Sequence, residues 1–126
     1  MRLYRYPRAA RLARSRDYER ARREGKRIVA PPLALLAVPR RQGLSRLGLA
    51  VGRRIGKAVV RNRWKRAIRE AFRLNHRRLR RPYDIVVSVW RTAPVTEVRR
   101  VEAAFLQAVE ELNASDAPPG DGCPGS

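Results

Sequence analysis

The residues with most capacity for chemistry form one run, from Arg46 to Glu70. Arg46, Arg53, Arg54 and Lys57 lead into a segment where Arg61, Asn62, Arg63, Lys65, Arg66 and Arg69 follow in close order. Guanidinium forks and ammonium groups at such density suit phosphate oxygens, which arginine binds in two-point geometry. Asn62 can both donate and accept, so it can fix a neighbour or hold a water-bound ion. Gly48 and Gly56 permit close approach or unusual backbone angles around the run. The basic loop before Ala58 sets cations beside a helix start, where free backbone N–H groups also attract phosphate.

The groups that make bonds or break them are scarce. His76 is the single histidine and sits in a basic turn, where solvent or RNA contact is expected. Asp17, Asp84, Asp116 and Asp121 are dispersed, and Glu70 is expected to pair with a nearby arginine. No serine sits in a nucleophile elbow, and neither G-x-x-x-x-G-K-S/T nor G-x-G-x-x-G occurs. The lone Cys123 excludes an internal disulfide and a cysteine-based zinc site, and fits a reducing compartment. No catalytic residue is assigned to this chain, and a metal site within it is left unknown. The residues read as a binding module.

Composition agrees. The 126 residues carry a formal charge of +19, with Lys only at Lys26, Lys57 and Lys65. Such an imbalance on one small domain is the footprint of a polyanion-binding protein. No apolar run approaches the roughly 20 residues of a membrane-spanning helix, so no membrane partner is expected.

The elements that must position these residues follow from periodicity and breakers. Residues 1–14 read as a basic N-terminal arm. Residues 15–24 read as a helix with Ser15 or Asp17 as N-cap, Gly25 as C-cap and Tyr18 as the aromatic among charges. Pro31 and Pro32 punctuate the chain. Residues 33–38 and 47–51 read as strands, and their separation by a loop containing Gly43 suggests a hairpin. Residues 58–75 form the strongest helix. Val60, Trp64, Ala67, Ile68, Ala71 and Phe72 make its apolar stripe, and Lys65, Asn62, Arg69, Arg73 and Arg66 lie on another face, with Arg61 at the border. Residues 83–90 are a third strand. A last helix follows Pro94 and Thr96, with Val98, Val101, Phe105, Val109 and Leu112 at helical spacing. From Ala114 the Pro/Gly-rich composition predicts a disordered tail over 114–126. The body is therefore residues 15–113, an α+β sandwich in the order α-β-β-α-β-α with one small sheet.

The run from Arg46 to Glu70 resembles a family signature, R-x-G-x-x-V-x-K/R-K/R-x-G-x-A-V-x-R-N-R-x-K-R-x-x-R-E, of the bacterial ribonuclease P protein component. The resemblance extends over about residues 12–113 and includes the Tyr18 to Gly25 spacing. It implies a ribosomal protein S5 domain 2-like fold with a left-handed β-α-β crossover, against the usual hand. It implies a cytoplasmic, bacterial ribonucleoprotein that removes the 5′ leader of precursor tRNA, with the catalytic centre and its Mg²⁺ in the RNA subunit. The implied partners are that RNA and the precursor tRNA 5′ leader, with no obligate protein partner. It gives the RNA-facing roles to the cations and Asn62 of the run. Tyr18 takes the leader-cleft role with Arg22 and Leu36, which stand where the family often has aromatics. The rival readings are a ribosomal or ribosome-associated protein without a processing role, a protein-only nuclease and a histone-like protein.

Overall fold

The computed structural model describes residues 11–12 and 14–115. Most of the expected N-terminal arm, and the expected tail from residue 116 on, lie outside the described residues, while Ala114 and Ser115, expected in that tail, close the last helix. Three helices and four strands follow in the order α1 (Ser15–Glu24), β1 (Lys26–Ala30), β2 (Leu33–Pro39), β3 (Arg46–Leu49), α2 (Ala58–Asn75), β4 (Tyr83–Val89) and α3 (Val101–Ser115). The strands form one sheet in the order β1-β2-β4-β3. β1 pairs antiparallel with β2, β2 antiparallel with β4, and β3 parallel with β4.

This sheet corrects two expectations. The segments at 33–38 and 47–51 are not a hairpin: β4 lies between them. The physical reason is that β4 is covered on both sides, with Tyr83 through Val87 all buried. Such a strand belongs at the centre of a covered sheet. β3 then reaches β4 through α2, the parallel crossover unit that such pairing requires. The second correction is β1, a fourth strand that the periodicity did not reveal. It is short, begins with two exposed cations and buries only Ile28 and Ala30, a pattern suited to an edge.

The sheet separates two apolar clusters. α2 and α3 pack on one face, where Trp64, Ile68 and Phe72 meet Ile85, Val87, Val89 and Phe105. The Phe72 and Phe105 rings pack edge to face at 5.8 Å. Of the predicted stripe of α2, Trp64, Ile68, Ala71 and Phe72 are buried, while Val60 and Ala67 are half-buried at its margin. α1 lies on the other face with Leu12, Ala21, Val38 and Val86. Alternation along β4 divides its side chains between these clusters. Leu12 belongs to this body: its N–H donates to the Leu47 carbonyl at 3.0 Å.

Helix ends also differ from expectation. Arg14, not Ser15 or Asp17, is the N-cap of α1, and no side chain caps it. Gly25 does follow the helix, but in extended backbone at φ −73°. Its glycine is required by crowding, since a Cβ there would stand 2.4 Å from the Ala21 carbonyl oxygen. α3 starts only at Val101, because Val95–Arg100 form a 3₁₀ turn that holds Val98 half-buried.

Candidate nucleic-acid interface

α2 carries the expected cations outward because its opposite stripe is fixed in the core. Lys65, Arg69, Asn62 and Arg66 run along one flank at helical spacing. Arg69, Asn62 and Arg66 are exposed and Lys65 is half-buried. Arg73 continues the flank and is paired with Glu70. Arg63 is exposed at the edge of this flank, three residues before Arg66 and four after Val59, which is 72% exposed.

Ahead of the helix, Arg53–Ile55 form a 3₁₀ turn. Gly56 follows at φ +147°, a conformation that side chains disfavour. The Arg61 Nε donates to the Gly56 carbonyl at 3.1 Å, tying the turn to the helix. Arg54 donates to the Arg91 carbonyl at 3.1 Å. Lys57 is the N-cap and no side chain caps the first turn, which also lacks any acid. Exposed Arg53, Arg54 and Lys57 thus surround backbone N–H groups at the positive end of α2.

Arg46 does not join this set. Its guanidinium makes a two-point bond to Asp84, with Nε and Nη2 each 2.7 Å from a carboxylate oxygen. Asp84 is only 4% exposed. Arg40 lies 3.6 Å from the same carboxylate, and Asp17 of α1 lies 3.7 Å from Arg46. This network joins α1 to the β3–β4 pair and commits Arg46 to the fold.

The three expected cleft residues do meet. Tyr18, Arg22 and Leu36 line one groove of about 430 Å³ on the sheet face that α1 leaves open. Arg27 of β1, Ala50 and Ser88 complete it. Arg27 went unrecognised because its strand did; its place opposite Leu36 in the β1–β2 register sets it on this face. Tyr18 is half-buried and doubly tethered. Its hydroxyl donates to the Leu12 carbonyl at 3.3 Å and accepts from the Leu49 N–H at 3.2 Å. The phenol thus packs on the sheet and forms a wall of the groove together.

His76 is half-buried and stacks on Phe72 at 5.3 Å, away from the solvated role expected for it. Burial, then the Arg77 charge, lower its pKa from the ordinary 6.5. Among the described residues, no cluster of three or more His, Cys, Asp or Glu side chains converges to hold a metal ion. No helix there is long and apolar enough to cross a membrane.

The chain is similar to known proteins along nearly its whole described length. A family model for ribonuclease P matches residues 6–113. The ribonuclease P protein component of Chloroflexus aurantiacus is 40% identical over 107 residues, covering 85% of this chain and 75% of the relative. That of Roseiflexus sp. is 38% identical, covering 87% and 93%. The Thermotoga maritima ribonuclease P protein structure superposes with a TM-score of 0.71 at 31% identity, over 80% of this chain and 96% of its own. The Staphylococcus aureus protein shares the fold, with a TM-score of 0.71 at 23% identity over 81% and 94%. A matched family model, close relatives and a shared fold together establish that the chain belongs to the bacterial ribonuclease P protein family, the protein subunit of a tRNA-processing ribonuclease.

Proposed function

We propose that this subunit works through two surfaces, one for the ribonuclease P RNA and one for the 5′ leader of precursor tRNA. The carrying observation is their separation: the cationic flank of α2 and the groove walled by Tyr18, Arg22 and Leu36 arise from helices on opposite faces of one sheet. The α2 flank and the Arg53–Lys57 approach hold RNA phosphates. The groove takes a single strand, because a duplex would not enter a cleft of about 430 Å³. Arg22 and Arg27 supply phosphate contacts at its wall, and Tyr18 and Leu36 an apolar surface for bases.

In this reading the RNA subunit holds the catalytic centre and its Mg²⁺. The dispersed acids and half-buried His76 suit a supporting role for the chain. Its cations offset repulsion between leader, tRNA and RNA subunit, which lowers the Mg²⁺ needed for assembly. The work of the subunit is confined to the cell compartment where that RNA is found, the cytoplasm.

The test is reconstitution with a bacterial ribonuclease P RNA and precursor tRNA across a Mg²⁺ titration. The protein should shift cleavage to lower Mg²⁺. An unchanged Mg²⁺ requirement, or cleavage by the RNA-free protein, would contradict this assignment of roles.

A further inference from the structure

Beside the groove described above stands an aromatic that its lining does not include. Trp90 is the first residue after β4, whose Val86 and Ser88 line the groove, and its ring borders Arg27, which lines the groove as well. It is partly exposed. Its backbone is pinned, because the Trp90 N–H donates to the Pro32 carbonyl at 2.8 Å.

Two guanidinium groups lie against its ring. Arg27 Cζ is 5.6 Å from the ring centroid and Arg91 Cζ is 5.0 Å. Arg27 also lines the groove, so the ring and the groove are continuous through one side chain. Arg91 has φ 56°, and it is the non-glycine residue with positive φ among the described residues. That conformation disfavours a side chain, and such outliers persist where the surroundings hold them. Here Arg54 holds the Arg91 carbonyl at 3.1 Å. Among the described residues, none of Arg27, Arg54 and Arg91 has an ion pair with a carboxylate.

We propose that Trp90, with Arg27 and Arg91, is a stacking platform for an unpaired base of the precursor tRNA leader beside the groove. The inference rests on the leader reading of that groove. An indole face attracts both cations and nucleobases. A base stacks on Trp90 by displacing one guanidinium, which then turns to the adjoining phosphate. Two guanidinium groups against one ring match the alternation of base and phosphate in a single strand. They would be a costly way to shield a ring from water alone, since like charges repel.

The chain has only two tryptophans, and Trp64 is wholly buried, so the fluorescence of Trp90 can be followed in the reconstituted holoenzyme. Precursor tRNAs are titrated with leaders lengthened one nucleotide at a time, and mature tRNA serves as control. The emission should be quenched once the leader passes a threshold length, and unchanged by mature tRNA. Trp90→Phe should abolish the quench. Trp90→Ala should weaken binding of long-leader substrate by about fivefold or more, with short-leader and mature tRNA unaffected. A wild-type affinity that rises with leader length while Trp90→Ala follows the same curve would overturn the platform and leave the groove reading standing. An affinity independent of leader length in the wild type would overturn both. Equal weakening for every tRNA would assign Trp90 to the fold alone.

Discussion

The Tyr18 ring occupies the space that a side chain at Gly48 would need. A Cβ on Gly48 would lie 2.9 Å from the Tyr18 hydroxyl oxygen and 3.0 Å from its Cζ. The alternation of large and small residues in β3 thus admits a neighbour from α1, and with it sets one wall of the groove. Gly48→Ala must displace a ring held by Leu12 and Leu49. A destabilisation of about 1 to 3 kcal/mol is expected, as for other overpacked sites. Chemical denaturation of the single and double variants checks this: in a Tyr18→Ala background the same change should cost less.

Because Tyr18 is both packed and in the groove, its two roles separate by substitution. Tyr18→Phe removes the hydroxyl bonds but keeps the ring. It should lower stability by about 1 kcal/mol and leave precursor binding near that of the wild type. Tyr18→Leu should weaken precursor binding while mature tRNA binding holds. Thermal melts beside affinity measurements on both tRNAs distinguish them.

Arg46 should prove structural. Removing it leaves the buried Asp84 carboxylate without its two-point partner, although Arg40 remains near. Breaking a buried pair costs roughly 3 to 5 kcal/mol. The partly wetted Arg46 side chain puts the loss at the low end. Arg46→Met should lower the denaturation midpoint, while RNA affinity of the protein that remains folded is unchanged.

The α2 flank should govern salt dependence. Arg66→Ala with Arg69→Ala should weaken RNA-subunit binding and flatten its dependence on salt. For duplexes that slope is about −0.9 per phosphate neutralised, and the same sign is expected here. Filter-binding across a salt series measures it.

His76 gives the fold a pH signature. Its pKa is lowered by burial first and by Arg77 second, so charging it costs more in the folded chain than in the unfolded one. The unfolded chain therefore binds more protons between the two pKa values, and stability rises with pH there. The contribution is full above the ordinary value of 6.5 and is lost as pH falls through the lower folded value. Melting temperatures of the wild type and His76→Gln should diverge across that window, with the variant showing the shallower decline.

Legibility in the sequence followed the range of the interactions. α2 was readable to its ends because its apolar stripe repeats within one uninterrupted segment. The core positions of α3 were readable for the same reason, although its first turn was not. β1 carries only two buried residues, too few to show a period. The placing of β4 between β2 and β3 is a matter of pairing, which no local pattern encodes. Among site residues, the α2 cations were visible as a helical face. Arg46 looked like one more of them, since its partner Asp84 is remote in the chain and near only in the fold. Arg27 reaches the groove face through a strand and a pairing that had to be seen first, and Trp90 joins it only through its contact with Arg27.

The most direct measurement compares affinities for precursor and mature tRNA, with the RNA subunit alone and with the reconstituted holoenzyme, at limiting Mg²⁺. The two-surface account predicts that the protein tightens precursor binding and leaves mature tRNA binding nearly unchanged. Equal tightening of both, or of neither, would contradict it.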